Sequence, residues 1–240
     1  MAVSLNIIAC SSSDKGVSQT EDPQKAFNIA KKNYDRGDYL QAIDDFSYVK
    51  VKFSGTSIID DSQYYLAMCY YQRKEYILAS YEFDYLIKNY TTSEYYSKSH
   101  FMLAMCYYYQ SPRFNLDQTY TYYAINEFMS FIELYPKDAN VRDAEIKIKE
   151  LRDKLAYKDY MSGTLYFRMD NYRAAIVYFD NVLDRFFDSE YADDALYMKI
   201  MAFVERKKFE EAKTEIERFL KKFPSSEYLK DVLKIQKKLP

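Results

Sequence analysis

The sequence predicts an all-α solenoid built from five repeated helix pairs, and three observations support that prediction. The hexapeptide Leu-Ala-Met-Cys-Tyr-Tyr occurs twice, at residues 66–71 and 103–108, and self-similarity at such an offset is typical of solenoids. The chain has only four glycines and five prolines, as expected for long helices joined by short turns. Its hydrophobic content of 48% excludes general disorder.

The repeated unit has a small residue, an aromatic pair, a turn and then an aromatic residue followed by alanine and phenylalanine. Five copies can be recognised by the small residue of their second helix: Ala42, Ala79, Ala124, Ala175 and Ala212. The last copy is the loosest match. The intervals on either side of Ala124 are longer than the others, which predicts an inserted loop before it and a lengthened helix after it.

The N-terminal stretch resembles a bacterial lipoprotein signal. Residues 1–9 are short and apolar and end in Ile-Ile-Ala before Cys10, an order that resembles the lipobox whose cysteine is acylated. No Lys or Arg precedes the apolar run, so either the start is truncated or the match is accidental; we favour the truncated signal. The prediction is a signal remnant at 1–9, lipid on Cys10, a flexible tether over 10–21 and a repeat domain over 22–240.

Helix boundaries follow from capping residues and turn residues. Asp22-Pro23 should begin the first helix, since Asp is a good N-cap and Pro suits the first helical position. Gly37-Asp38 should end that helix, and Arg73-Lys74 should form the matching turn of repeat two. Residues 110–117 then lengthen the turn of repeat three, and insertions of this kind lie on the surface, often at a functional edge.

The middle of the chain should contain one long amphipathic helix. In each repeat the first helix is called helix A and the second helix B. Helix B of repeat three is expected to end at Tyr135-Pro136. Residues 141–158 then place apolar side chains at helical spacing among charged ones, as in an amphipathic helix. This segment is predicted to form the beginning of helix A of repeat four.

The best-preserved copy resembles the tetratricopeptide repeat. Ala67, Tyr70, Tyr76, Ala79 and Phe83 occupy positions where that repeat has small and aromatic residues. The resemblance implies a right-handed superhelical solenoid of five helix pairs, in which the small residues let helices A and B approach closely. It also implies a concave wall made by the A helices, and such walls bind proteins or peptides.

A peptide-binding groove is therefore expected along the A helices of the first three repeats. The positions that face the concave side in tetratricopeptide repeats are occupied by Phe27, Tyr34, Tyr64, Met68, Tyr71, Phe101, Met105 and Tyr108. Aromatic and methionine side chains bind extended apolar peptides adaptably. The alternative interpretation is that several of these side chains belong to the core.

Catalysis and metal binding are rejected. The single histidine, His100, is interpreted as a surface or capping residue, because no Asp or Cys partner lies near it in the sequence. Acidic pairs such as Asp44-Asp45 are interpreted as solvated charge. Cys69 and Cys106 occupy the same site in consecutive repeats, where helix spacing exceeds the reach of a disulfide, so buried free thiols are expected.

The C-terminal end is basic. From residue 206 onward there are eleven Lys or Arg against six Asp or Glu, although the whole chain has a net charge of −2. One interpretation is a polar cap that keeps the last repeat soluble. The other is an electrostatic docking face for an acidic partner domain, formed by Lys207, Lys208, Arg218, Lys221 and Lys222.

Repeat count, length, anchor and linkers together resemble the BamD family of outer-membrane assembly factors. The linkers at 187–192 and 223–229 share a Phe-x-x-Ser-Glu-Tyr-like pattern. The resemblance implies a lipid-anchored, non-enzymatic scaffold on the periplasmic face of the outer membrane. It implies that C-terminal repeats bind the barrel protein BamA and that N-terminal repeats bind β-barrel precursors. It implies no cofactor, nucleic acid or small-molecule substrate.

Two other classes of protein share these repeats. A periplasmic scaffold of the cell-division coordinator type usually carries an N-terminal coiled coil, and none is evident in this sequence. A surface glycan-binding lipoprotein is normally much longer and rich in tryptophan, whereas this chain has no tryptophan.

Overall fold

The computed structural model describes residues 16–240, and all regular secondary structure in this range is helical. A 3-10 helix, Val17–Gln19, is followed in the described chain by eleven α-helices: α1 (Pro23–Asp35), α2 (Tyr39–Lys52), α3 (Ile59–Gln72), α4 (Tyr76–Asn89), α5 (Tyr96–Gln110), α6 (Thr119–Leu134), α7 (Val141–Arg168), α8 (Tyr172–Arg185), α9 (Ala192–Glu205), α10 (Phe209–Lys222) and α11 (Leu229–Lys238). The all-α class and the five helix pairs, from α1/α2 to α9/α10, are confirmed. The last helix, α11, was not predicted.

The chain divides into two compact units, 16–106 and 107–240 in the described range, with the division inside α5. In the first unit α2 packs against both α1 and α3, and α3 packs against α4. In the second unit each helix from α6 to α11 packs against the next one in the chain. The lengthened helix of repeat four is confirmed as α7, a continuous helix of 28 residues.

The folded chain begins earlier than residue 22. Asp22 caps α1 as predicted, since its Oδ1 accepts hydrogen bonds from the backbone N–H groups of Gln24 and Lys25 at 3.0 and 3.2 Å. The 3-10 helix lies inside the segment predicted to be a tether, and Val17 is buried against α1 and α2. An apolar side chain that can be removed from water draws this part of the chain onto the first repeat.

The turn between helices A and B has the same backbone geometry in four repeats. The residue in the turn adopts a positive φ in each, at Gly37 (81°), Lys74 (62°), Asp170 (57°) and Lys207 (57°). The next residue donates its N–H to a carbonyl five residues back, as Asp38 does to Asn33 at 3.0 Å. This is a Schellman ending, which satisfies the last carbonyls of helix A and reverses the chain.

Small residues stand where helices A and B cross. The alanines at both crossing positions of repeats one and two, Ala30 with Ala42 and Ala67 with Ala79, are completely buried. Repeat four uses Gly163 instead of alanine. A Cβ on that residue would lie 2.5 Å from the nearest ring carbon of Phe179, so the phenyl ring fills the space that alanine occupies elsewhere.

The linker between repeats carries a tyrosine that packs on helix A of the preceding repeat. Tyr95 stacks on Tyr64 of α3, with ring centroids 4.2 Å apart and planes inclined by 16°. Tyr228 stacks on Tyr197 of α9 in the same way, at 4.5 Å and 10°. Tyr191 lies 5.9 Å from Tyr160 of α7, inclined by 20°. These three stacked pairs account for six of the 28 tyrosines.

A carboxylate three residues after the small residue of helix B joins the helices of three repeats. Asp45 accepts from Asn33 Nδ2 at 2.7 Å, and Glu82 accepts from Gln63 Nε2 at 2.6 Å. Glu215 lies 2.6 Å from Nζ of the buried Lys199. Lys199 also lies 2.6 Å from Asp180 of α8, so it joins α8, α9 and α10, and both carboxylates compensate its buried charge.

The close contact at Gly163 predicts the effect of a single methyl group. Overpacking costs about 1–3 kcal/mol, and the better helix propensity of alanine offsets at most about 1 kcal/mol of that. Gly163→Ala should therefore lower the free energy of unfolding, measured by urea denaturation of the full chain. The double variant Gly163→Ala/Phe179→Leu should lose less than the sum of its single variants. If the losses in free energy of unfolding of the two single variants add up in the double variant, the Phe179 ring does not clash with the added methyl group.

The linker tyrosine Tyr228 allows its ring and its hydroxyl to be tested separately. Its hydroxyl donates to Asp194 Oδ1 at 2.7 Å. Tyr228→Phe should cost about 1–2 kcal/mol because a half-buried carboxylate loses its donor. Tyr228→Ala should cost at least about 0.5–1.5 kcal/mol more because the stacking is also lost. Tyr172→Phe is the control, since its hydroxyl bonds to the exposed Asp170, and it should be nearly neutral.

Candidate functional site

Three of the eight residues predicted to line the groove are buried. Phe27, Phe101 and Met105 are 8, 9 and 8% exposed. Phe27 belongs to the core of the first unit, where its ring lies 5.8 Å from that of Phe46. For these three the core interpretation applies, because a partner cannot reach a side chain that is already removed from water.

A fourth predicted residue, Tyr64, is covered by a neighbour. The linker residue Tyr95 stacks on one face of its ring, and the ring edge lies toward Phe83 at 5.9 Å. Burial raises the pKa of Tyr64 to about 12. Tyr64 therefore contributes to the packing between repeats rather than to an open surface.

Three predicted residues of the first unit remain half-buried and reachable: Tyr34, Met68 and Tyr71. The Tyr34 ring meets that of Tyr65 edge-on at 5.2 Å, and burial raises its pKa. Tyr71 meets Tyr76 edge-on at 5.5 Å. The Tyr34 ring also meets that of Tyr39, at 5.6 Å. Both Tyr34 and Tyr71 keep part of their surface in water, which suits contact with an apolar side chain.

Tyr108, in the second unit, packs against α7. Its hydroxyl donates to Glu150 Oε2 at 2.6 Å, and Lys147 Nζ lies 4.7 Å from the ring centre. Burial, followed by the hydrogen bond to Glu150, raises the pKa of this phenol. The ring is thus part of a polar cluster on α7, an environment that the repeat pattern alone does not reveal.

The inserted loop of repeat three is firmly held, although insertions are often mobile. The buried Gln118 donates from Nε2 to the carbonyls of Arg113 and Leu116 at 2.9 and 3.0 Å. From α7, Lys154 donates to Ser111 Oγ and to Pro112 O, and Lys158 donates to Leu116 O at 2.9 Å. Burial lowers the pKa of Lys154. These five hydrogen bonds position a surface loop whose presence the repeat spacing predicts but whose anchoring it does not.

This loop forms two cavities in the second unit by inserting Phe114 beside α7, where its ring meets Tyr157 edge-on at 4.7 Å. One cavity, of about 350 Å³, is lined by Phe114, Asn115, Lys158, Met161, Ser162, Thr164, Leu165 and Arg168. The other, of about 500 Å³, is lined by Arg113, Phe114, Glu150, Asp153, Lys154, Tyr157, Glu190 and Tyr191. Each lining combines apolar or aromatic side chains with charged ones, a mixture that is common in binding pockets.

The predicted docking residues lie at both ends of α10 rather than in one compact patch. Lys207 and Lys208 precede the helix, and Lys221 and Lys222 are in its last turn. Twelve residues lie between Lys208 and Lys221, which corresponds to a separation of about 20 Å along the helix. Two members of the set are compensated, since Lys208 pairs with Glu211 at 3.3 Å and Arg218 with Glu215 at 3.5 Å. The other three make no ion pair within residues 16–240.

Two minor predictions are wrong. His100 is 8% exposed on α5, with Tyr96 edge-on at 5.1 Å, so it is neither a surface nor a capping residue. Asp45 is 7% exposed and accepts hydrogen bonds from α1 and α2, so it is not solvated charge. The prediction for the cysteines is confirmed: Cys69 and Cys106 are free and buried, and burial raises both thiol pKa values.

Three features were not predicted from the sequence: the ion cluster of Lys199, the stacked linker tyrosines and the hydrogen bonds that hold the inserted loop, which are called the clamp below. The first two had a signal, since the carboxylate and the linker tyrosine recur at a constant distance from the small residue of helix B. The clamp had none, because Gln118 and Lys154 come from different elements. In the described part of the chain, no helix has both the length and the apolar character that crossing a membrane requires.

Two family models match the chain. The one described as YfiO, outer membrane lipoprotein, matches residues 19–208, and a tetratricopeptide repeat model matches residues 194–226. The second match covers α10 and most of α9, the repeat whose sequence fits the pattern least well.

Among proteins with similar sequences, the outer membrane protein assembly factor BamD of Rickettsia prowazekii (strain Madrid E) is 30% identical over 99 residues. The alignment covers 41% of this chain and 39% of that protein. A repeat protein of Bacteroides fragilis has a TM-score of 0.47 at 15% identity, covering 89% of this chain and 96% of that one. For the TPR2AB domain of yeast Sti1, in a complex with pHSP90, the TM-score is 0.45 at 15% identity, with 84 and 78% covered.

The family match extends from the 3-10 helix to the turn before α10 and so includes four of the five helix pairs and the first helix of the fifth. It spans well over half of the chain and agrees with the independent match of the last repeat. The chain belongs to the YfiO family of outer membrane lipoproteins.

Proposed function

We propose that this protein is a lipid-anchored scaffold of the outer-membrane β-barrel assembly machinery. In this role it binds the barrel protein BamA and unfolded precursors of outer-membrane proteins, on the periplasmic face of the membrane. The observation that carries the proposal is the family match over residues 19–208, and the similarity to a named assembly factor supports it. The anchor is assigned to Cys10, which lies outside the described residues.

The geometry favours a binding role for two surfaces. The half-buried side chains Tyr34, Met68 and Tyr71 in the first unit are assigned to precursor segments, because aromatic and thioether groups adapt to varied apolar sequences. Tyr108, in the second unit, is assigned to the same role together with the side chains of α7 that contact it. The uncompensated lysines at the two ends of α10 are assigned to an acidic domain of the barrel protein.

Co-purification tests the proposal directly. A tagged full-length chain, recovered from detergent-solubilised envelopes, should bring down the large barrel assembly protein. The triple variant Lys207→Glu/Lys221→Glu/Lys222→Glu should bind that partner's periplasmic domains more slowly. The slowing should be strong at low salt and weak at high salt, because exposed charges are screened over about 10 Å at 0.1 M salt.

A variant with the same change in net charge provides the control for docking. Lys25, Lys137 and Arg142 are exposed and belong to parts of the chain other than residues 207–222, so reversing them to Glu should leave the association rate close to that of the natural protein. Absence of the barrel protein from the recovered material would reject the proposed function. Equal slowing by both triple variants would reject only the assignment of the docking residues.

The groove residues can be tested with a synthetic peptide from the C-terminus of a β-barrel protein. Tyr34→Ala and Tyr71→Ala should each weaken its binding about threefold to tenfold, equivalent to roughly 0.7–1.4 kcal/mol. Tyr120→Ala, which removes an exposed ring from α6, should leave the affinity unchanged. A large drop in melting temperature with unchanged affinity would instead show that these tyrosines are core residues.

A further inference from the structure

One side of α4 exposes large apolar side chains to solvent. The helix buries Ala79, Phe83 and Leu86, whereas four side chains on the opposite side are exposed, namely Ile77 (67%), Leu78 (48%), Tyr81 (65%) and Tyr85 (39%). Their spacing places them along a single helical stripe. Apolar side chains grouped in this way are uncommon on soluble surfaces and usually mark an interaction site.

The neighbouring helix α2 extends this surface within the first unit. Lys50 of α2 bridges to α4, since its Nζ lies 2.9 Å from Glu82 Oε2 and 5.5 Å from the centre of the Tyr85 ring. On α2, Leu40 and Val51 are 61 and 80% exposed, and they hold the repeat positions of Ile77 and Lys88 on α4. The six side chains Leu40, Val51, Ile77, Leu78, Tyr81 and Tyr85 are called the α2–α4 face below.

The N-terminal part of the described chain lies against α1 and α2. Lys52, beside Val51, donates to Thr20 O at 3.1 Å and pairs with Glu21 at 2.9 Å. The described chain begins four residues earlier, at Gly16, which lines a cavity with Gln41 and Asp45 of α2; Gln41 follows Leu40 of the α2–α4 face. Cys10 precedes Gly16 by six residues, and even a fully extended segment of that length spans at most about 21 Å.

We propose that the α2–α4 face lies on the surface of a lipid bilayer. This inference rests on the proposed lipid anchor, which would hold the edge of the face within reach of the membrane. Tyrosine rings favour the boundary between headgroups and acyl chains. Lys50, Lys52 and Lys88 flank the face, and each is already paired with a carboxylate, at Glu82, Glu21 and Asp84 respectively, so the contact with the bilayer is assigned to the apolar side chains. The face thereby fixes how the first repeats are oriented toward the membrane.

Vesicle binding by a chain without lipid tests this face separately from the anchor. The full-length Cys10→Ser chain should float with vesicles of phosphatidylcholine and phosphatidylglycerol. Ile77→Ser/Tyr81→Ser in the same chain should reduce the bound fraction about fivefold or more, because interfacial binding scales with the apolar area buried. Leu165→Ser/Met169→Ser is the matched control, since it removes two side chains of similar exposure from the second unit, and binding should be unchanged.

A fluorescence measurement reports on the face without removing apolar surface. The natural chain has no tryptophan, so Tyr81→Trp introduces a single reporter on α4, and Leu165→Trp introduces one on α7. On addition of vesicles, emission of the α4 reporter should shift to shorter wavelength and be quenched by brominated lipids. The α7 reporter should not respond.

Three results would overturn the proposal. The first is that the natural face does not bind vesicles, and the second is that the serine variants bind as well as their parent. The third is that the chain self-associates through this face in sedimentation, with dimers lost in Ile77→Ser/Tyr81→Ser, since the occupant is then a second copy. None of these results bears on recovery of the barrel protein, so the proposed function is judged separately.

Discussion

The close approach of two helices at a pair of small residues is the constraint on which each repeat depends. Alanine at both crossing positions lets the helices touch backbone to backbone, and the aromatic side chains around them then fill the space toward the next repeat. Repeat four shows the same requirement in a different form. There Gly163 lies under the ring of Phe179, so even one methyl group would displace a completely buried side chain.

Packing between repeats is built on that crossing. The linker tyrosines stack on helix A of the preceding repeat. The carboxylates on helix B accept hydrogen bonds from side chains of neighbouring helices or form ion pairs with them. Stacking and charge compensation are both directional, unlike apolar burial. They therefore select one arrangement of successive helices from the several that a purely apolar interface would permit.

A partner can contact only the side chains that this packing leaves exposed. Tyrosine serves both purposes in this chain, because its ring packs like an apolar residue while its hydroxyl tolerates water. Tyr64 and Tyr228 are used for packing, whereas Tyr34 and Tyr71 keep part of their surface free and Tyr81 is mostly exposed. Binding surfaces in such a repeat protein can thus be changed one ring at a time without altering the crossing of the helices.

The helix pairs, their boundaries and the lengthened helix α7 could be predicted from the sequence, because capping residues, positive-φ turns and small-residue spacing are local signals. The sequence also indicated the family, through features that recur along the chain. Which aromatic side chains remain accessible to a partner could be read only from the folded chain. Phe27 and Tyr71 fit the same repeat pattern, yet one is core and the other half-exposed, because burial depends on side chains from linkers and neighbouring helices. The clamp that joins Gln118 and Lys154 to the inserted loop was invisible for the same reason, since it brings together residues that are distant in the sequence.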